Sequence, residues 1–368
     1  MKAIAIKPGT PQVRFTERPE PDIQAETDIK IKVLQVGICG TDREEAAGGR
    51  ADPPAGSDEL VIGHEMFGQV VATGGAVTKV QTGDYAVFTV RRGCGQCAPC
   101  LNNRSDMCYT GQYTERGIKG LDGYQTEYVV DAAQYVVKVP EEIRSIGVLT
   151  EPMSVAAKAI DEALQIQTAR LKGFVDTGNW LKGKRALVAG IGPIGLLAAF
   201  ALRLRGAEVL GLDIVPEDNL RARLLQDIGG RYLNGNNIKV TDIDEQIGPV
   251  DFAFEAAGIA QLQIQLIDTL APNGIYVATG IPSGERPLTI AGGALMQQLV
   301  LNNQVVIGSV NASMQHFAQA VDYLLESKKK WPEAIEQVIT ERLPVSRFEE
   351  ALDRHDANEI KVVIDWTA

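Results

Sequence analysis

Histidine is scarce in this chain, with three in 368 residues. Cysteine is limited to five, an odd number, and four of them crowd between Cys94 and Cys108. That pattern fits metal binding in a reducing cytosol better than a disulfide framework. No apolar run reaches the roughly 18 residues of a membrane span, which argues against a transmembrane protein. Basic residues are in deficit, 36 Lys and Arg against 47 Asp and Glu, for a net charge of −11. The deficit argues against a nucleic-acid partner or an anionic membrane surface. At 23% of residues, charge is also too sparse to suggest a salt-adapted surface. Met1 to Ile6 reads as a strand and lacks the apolar core and cleavage site of a signal peptide, so a cytoplasmic location is expected. There are no repeats and no low-complexity tail, and the length suits two domains.

One of the three histidines stands in Gly63-His64-Glu65, behind the apolar run Leu60-Val61-Ile62. A lone histidine in such a run is usually a satisfied core residue. Two other stretches change that reading. Gly37-Ile38-Cys39-Gly40-Thr41-Asp42 holds a cysteine between glycines at the end of a predicted strand, Ile29 to Val36. Leu149-Thr150-Glu151-Pro152 places an acid just before a helix. One thiolate, one imidazole and one carboxylate are ligand types of a catalytic zinc that keeps a fourth position open. Cys39, His64 and Glu151 are therefore expected to converge on one metal. Cys94, Cys97, Cys100 and Cys108, spaced by two, two and seven residues, suit a closed, structural tetrahedral zinc. The alternative is two disulfides or scattered thiols.

Residues 1 to about 155 read as a β-rich domain with irregular loops. Predicted strands are Gly68 to Ala72, Tyr85 to Val90, Tyr124 to Val130 and Tyr135 to Val139. Arg43 to Glu59 reads as a polar loop long enough to rim a site. After Glu151 the period becomes helical, with a helix from Pro152 to Leu164. The strand Arg185 to Ala189 then meets Gly190-Ile191-Gly192-Pro193-Ile194-Gly195, a helix runs from Leu196 to Arg205, and a strand from Ala207 to Leu212 ends on Asp213. This is a βαβ unit with Gly-x-Gly-x-x-Gly at its first turn and an acid closing its second strand. Gly190 permits the turn, Gly192 lets the backbone approach a pyrophosphate, and Gly195 lets helix and strand pack closely. The helix N-terminus offers N–H donors to the phosphates. Further strands are predicted at Val250 to Glu255, Gly274 to Gly280 and Gln304 to Val310, with a helix near Gln261 to Leu270. Strands alternating with helices imply a parallel sheet covered on both faces. The segment from His316 onward shows two amphipathic helical patterns and a closing strand, Ile360 to Trp366, and is expected to rejoin the first domain. His316 and His355 have no ligand-like context and are assigned to structure.

Together these pieces resemble the zinc-dependent medium-chain dehydrogenases over nearly the whole chain. Within them, Glu115-Arg116-Gly117-Ile118-Lys119-Gly120, Gly123-Tyr124, Val148 to Val155, Lys158-Ala159, Pro272-Asn273-Gly274, Ile307 to Asn311 and His316-Phe317 look most like the glucose (aldose) 1-dehydrogenases. The resemblance implies an α/β fold: a Rossmann doubly wound parallel sheet beside a β-rich, GroES-like catalytic domain. The catalytic domain would take residues 1–155 and 312–368, with its structural zinc lobe at 93–109, and the dinucleotide-binding domain residues 156–311. It also implies a dimer or tetramer, two zinc ions and a sugar substrate.

Zinc at Cys39, His64 and Glu151 would polarise the substrate hydroxyl, while hydride passes to the nicotinamide and Thr41 relays the proton. Glu65 would bind the metal in some states, or stay behind the ligands to orient them or act as base; its alternative is a buried salt bridge. Thr41, Glu115, Glu151 and Asn311 would touch the sugar. Gly190, Gly192, Pro193, Ile194, Gly195, Asp213, Thr279, Gly280, Ile281, Ser309, Val310 and Asn311 would line the cofactor. Family members that prefer NADP carry basic residues after the second βαβ strand. Here Asp213-Ile214-Val215-Pro216 points to NAD, with Arg221 and Arg223 read as solvated helix residues. The rival function is a zinc-dependent polyol, alcohol or threonine dehydrogenase.

Overall fold

A computed structural model describes residues 1–173, 180–282, 287–353 and 356–368. His355 lies outside them. The described chain forms two compact units, one of Met1–Ser154, Asn311–Lys328 and Ile335–Ala368, the other of Val155–Val310 and Lys329–Ala334. Among the described residues no helix is long and apolar enough to cross a membrane.

The first unit is built on the strand Asp28–Gly37. Ile29, Ile31 and Val33 alternate inward, as a half-buried strand requires. On one side it pairs antiparallel with Glu65–Thr73, with Gly37 opposite Glu65, and on the other with Lys361–Asp365, with Gly37 opposite Val363. The full sheet runs Val136–Val139, Tyr85–Phe88, Glu65–Thr73, Asp28–Gly37, Lys361–Asp365, Ile339–Pro344, and Tyr128–Ala132 also pairs with Asp28–Gly37. The C-terminal strand thus sits one place from the centre, beside the segment that carries Cys39.

In the second unit six parallel strands run in the order Arg231–Asn234, Glu208–Asp213, Arg185–Ala189, Val250–Glu255, Leu270–Ala278, Val305–Gly308. This is the doubly wound order. Ala186 to Ala189 are all buried, as expected of a strand covered on both faces. The helix Pro193–Leu204 is buried from Gly195 to Leu202 and takes Pro193 in its first turn, where the missing N–H costs nothing.

Several predicted elements shift. The loop expected from Arg43 begins instead inside a helix, Gly40–Ala46. Asp42 closes its first turn by accepting the Cys39 N–H at 2.7 Å, and Asp42 and Glu45 are buried on one face. Those two acids disguise the buried face as polar surface. The strand predicted from Gly68 begins at Glu65, and that predicted from Tyr124 begins at Tyr128. The helix expected through Leu270 stops at Gln265, and its next residues form a 3-10 turn into the strand Leu270–Ala278. The helix expected to end at Leu164 continues to Arg170, its last turns tied by Gln167 to the Asn273 carbonyl at 2.8 Å.

Candidate metal centres and dinucleotide cradle

His64 enters its site from a backbone only glycine tolerates. Gly63 has φ +91°, and its carbonyl accepts the Tyr124 N–H at 2.8 Å. The sulfur of Cys39, the imidazole of His64 and the carboxylate of Glu65 bring one ligand atom each within 4.8 Å of one another. This mix of thiolate, imidazole and carboxylate suits zinc. Glu151 is not in that set, yet it is close enough for the charges of His64 and Glu65 to act on it. Burial pushes its carboxyl up to about 7, with repulsion from Glu65 adding to the shift and His64 and Lys361 opposing it. Thr41 Oγ1 lies 4.0 Å from the Cys39 sulfur.

Three neighbours escaped sequence reasoning. Asp42, fully buried, sets one carboxylate oxygen on the Cys39 N–H and brings the other to 3.5 Å from His64 Nδ1. A carboxylate behind a ligating imidazole fixes its tautomer and orientation. Lys361, also buried, donates to both oxygens of Glu65 at 2.7 Å and to the Ile38 carbonyl at 3.1 Å. Gly37 lies between the two strands that carry this pair, and any β-carbon there would collide with the Glu65 carboxylate. The buried salt bridge weighed for Glu65 is therefore present, within reach of the ligand cluster.

The third neighbour is Glu45, fully buried with neither carboxylate oxygen hydrogen-bonded. Burial, then repulsion from Asp42, pushes its carboxyl up to about 9. The folded state keeps the proton, whereas the unfolded chain loses it above about 4.5. Stability contributed at this residue is therefore full below that pH and drains away as pH rises towards 9. Glu45→Gln keeps the buried polar group but removes the charge. In metal-stripped protein it should gain little at pH 5 and on the order of 2–4 kcal/mol more at pH 8. Thermal melts at the two pH values check this, and equal gains at both would contradict it.

The four clustered cysteines are free thiols. Their sulfurs lie 3.9 Å apart for Cys94 and Cys100, 3.4 Å for Cys97 and Cys100, and 3.9 Å for Cys97 and Cys108. A tetrahedron with metal–sulfur bonds of about 2.3 Å has edges of about 3.8 Å, whereas a disulfide needs about 2.05 Å. The residues fit a closed metal site. The Cys97 N–H donates to the Cys94 sulfur at 3.4 Å, as a thiolate cage needs.

Glu115 stands on the short strand Thr114–Arg116, and the adjoining turn abuts the histidine loop, because a β-carbon at Gly117 would lie 2.5 Å from the Gly63 carbonyl oxygen. Asn311, at φ +64°, donates from Nδ2 to Glu115 Oε1 at 2.7 Å and accepts the Ala312 N–H on Oδ1 at 2.8 Å. The structure thus brings together two expected sugar contacts that are 196 residues apart. Arg91, which sequence reasoning passed over, also donates to Glu115 Oε1, at 3.0 Å. His316, buried, takes the N–H and faces the hydroxyl of Ser313, a structural arrangement.

In the second unit the expected cofactor residues, all but Asn311, follow the carboxyl ends of the parallel strands, where open α/β sheets bind ligands. A β-carbon at Gly195 would collide with the Gly190 carbonyl, so that glycine is a packing requirement. One at Gly192 would meet nothing within 4 Å, which leaves the helix N-terminus open to a phosphate. Asp213 accepts the Ile191 N–H at 2.9 Å and the Ile214 N–H at 2.7 Å, one on each oxygen, so each oxygen keeps a lone pair. Thr279 and Gly280 are bonded to Glu255, a buried acid not singled out in the sequence. Ser309 donates its N–H to the Ala278 carbonyl, Ile281 is exposed, and the Val310 carbonyl accepts from Lys158 at 2.8 Å.

Fold, ligand set and glycine cradle define a zinc-dependent dehydrogenase of the medium-chain class. Residues 25–141 match the alcohol dehydrogenase GroES-like domain, and residues 144–366 match the glucose dehydrogenase C-terminus. The chain is 38% identical to glucose 1-dehydrogenase of Thermoproteus tenax and 36% identical to that of Methanocella arvoryzae, over 99% of each protein. Its structure superposes on that of Haloferax mediterranei glucose dehydrogenase in complex with NADP, Zn and gluconolactone with a TM-score of 0.89, at 32% identity and full coverage of both chains. The likeness to galactitol-1-phosphate dehydrogenase of Escherichia coli, TM-score 0.80 at 22% identity, covers the fold alone. The chain belongs to the glucose dehydrogenase family.

Proposed function

We propose that this enzyme oxidises an aldose such as glucose at C1 to the lactone, using NAD. The observation that carries the sugar reading is the Asn311–Glu115 hydrogen bond, which holds a carboxylate beside the loop that bears His64. A site with fixed polar groups rejects substrates lacking the matching hydroxyl far better than apolar contacts do. The kinship with glucose 1-dehydrogenases over the whole chain supports the same reading.

Cys39 and His64 would hold the catalytic zinc, with Glu65 and Glu151 as the carboxylates available to it. When bound, the metal supplies Lewis acidity towards the substrate hydroxyl. Asp42 keeps His64 oriented, Lys361 holds the Glu65 carboxylate in place, and the Thr41 hydroxyl carries the departing proton away. Cys94, Cys97, Cys100 and Cys108 would hold the second, structural zinc. NADH formation across glucose, galactose, xylose, sorbitol, ethanol and threonine tests the substrate. An aldose should give the highest kcat/KM, and better turnover of threonine or a simple alcohol would favour the rival function.

The preference for NAD rests on Asp213. Its two free lone pairs suit the ribose hydroxyls, and its charge opposes a 2′-phosphate. The relative from Haloferax mediterranei was seen with NADP, so the cofactor choice is where this chain is expected to differ. Its kcat/KM for NAD should exceed that for NADP about ten- to a hundredfold, the worth of a charge-assisted contact. Asp213→Gly with Ile214→Arg should move the ratio towards NADP. A parent that prefers NADP would overturn the assignment.

A further inference from the structure

We propose that Arg91 is a positioning residue for sugar recognition, forking between the Glu115 carboxylate and the four-cysteine lobe so that one carboxylate oxygen alone faces the substrate. The inference rests on Glu115 being a sugar contact.

Arg91 is opposite Glu115 in the antiparallel pair of short strands Arg91–Arg92 and Thr114–Arg116. Both side chains are largely buried, at 9% and 13% exposure. Arg91 Nε donates to Glu115 Oε1 at 3.0 Å, and the second terminal nitrogen lies at 3.0 Å from the same oxygen. Asn311 reaches that oxygen as well, from the opposite end of the chain. Two side chains therefore converge on Oε1, while Oε2 receives no hydrogen bond from any described residue. An ionised carboxylate oxygen is only an acceptor, so Oε2 is left to accept a hydrogen bond from one substrate hydroxyl in a fixed direction.

The other arm of the guanidinium fixes Arg91 itself. One terminal nitrogen donates to the Asp106 carbonyl at 2.7 Å, two residues before Cys108, and the guanidinium carbon sits 4.1 Å from the Tyr113 ring centroid. Ser105 Oγ also donates to the Arg91 carbonyl, at 3.4 Å. The rigid fork of arginine makes both bonds at once; lysine, a point charge on a flexible stem, cannot. The lobe held by the cysteines thereby sets where Glu115 points.

The test compares the parent, Arg91→Lys, Arg91→Met and Glu115→Ala, with saturating NAD and a panel of monodeoxy glucoses beside glucose. Metal content and melting temperature are measured for each. Arg91→Lys should raise KM for glucose about tenfold or more, with kcat within about threefold and KM for NAD unchanged. It should also narrow the parent's discrimination against the deoxy sugar lacking the hydroxyl that Oε2 receives, as Glu115→Ala does. Both metals should stay in place. Should Arg91→Met fail to fold, Arg91→Lys decides alone. Parent-like sugar kinetics in Arg91→Lys, with Glu115→Ala impaired, would overturn the inference and leave the sugar reading standing. Unchanged kinetics in Glu115→Ala would remove the reading beneath it. A raised KM accompanied by loss of a metal would also overturn it, because the effect would then be collapse of the lobe.

Discussion

His64→Ala should leave the fold intact and lower turnover about a thousandfold or more. Removing the imidazole deletes one of three ligand atoms within 4.8 Å of one another, while Asp42 keeps its hydrogen bond from the Cys39 N–H. A Lewis acid stabilises a developing alkoxide by several kcal/mol, and about 4 kcal/mol corresponds to a thousandfold in rate. Cys97→Ser should show the opposite profile. Cys97 lies within 3.4 Å and 3.9 Å of two other sulfurs, so its loss opens the closed cage. That should cost one zinc per chain and several kcal/mol of stability, or about ten degrees in melting temperature. Metal analysis beside kinetics and thermal melts separates the two sites. Near-normal rates in His64→Ala, or an unchanged metal count in Cys97→Ser, would contradict this division.

Lys361→Met carries the largest expected cost in stability. Glu65 and Lys361 have side-chain exposures of 2% and 3%, and both carboxylate oxygens of Glu65 rest on the lysine nitrogen. The substitution strands a buried carboxylate, for which the cost is about 3–5 kcal/mol. Replacing the pair together, Lys361→Met with Glu65→Leu, should recover most of that loss, since an apolar pair of similar volume packs without an uncompensated charge. Denaturant melts of the metal-free proteins measure both. A single-variant loss below about 1 kcal/mol, or a double variant no better than the single, would mean the pair does not hold the strand ends together.

What the sequence made legible is what short spacing encodes. The cysteine lobe lies within 15 consecutive positions, and the glycine turn, its helix and its acid lie between Gly190 and Asp213. Alternation in Ile29-Lys30-Ile31-Lys32-Val33 marked the central strand before its partners were known. Partners joined only by the fold were not legible. Lys361 is 296 residues from Glu65 and looks in sequence like any lysine opening a strand. Glu45 read as part of a polar loop and Asp42 only as the end of the cysteine motif, because nothing local says that a helix face of acids turns inward. Arg91 was hidden in a pair of arginines ahead of Gly93, where position in the sheet decides which one meets Glu115. The expected sugar contacts Glu115 and Asn311 come from family resemblance, and neither spacing nor periodicity would have joined them.

The central claim is hydride transfer from C1 of an aldose to NAD at the centre built on Cys39 and His64. Turnover of glucose deuterated at C1, followed by mass spectrometry of the reduced nicotinamide, tests it most directly. The account predicts one deuterium in each NADH and a lactone or its aldonic acid as product. Unlabelled NADH from C1-deuterated glucose, with label transferred only from another carbon or another substrate, would contradict it.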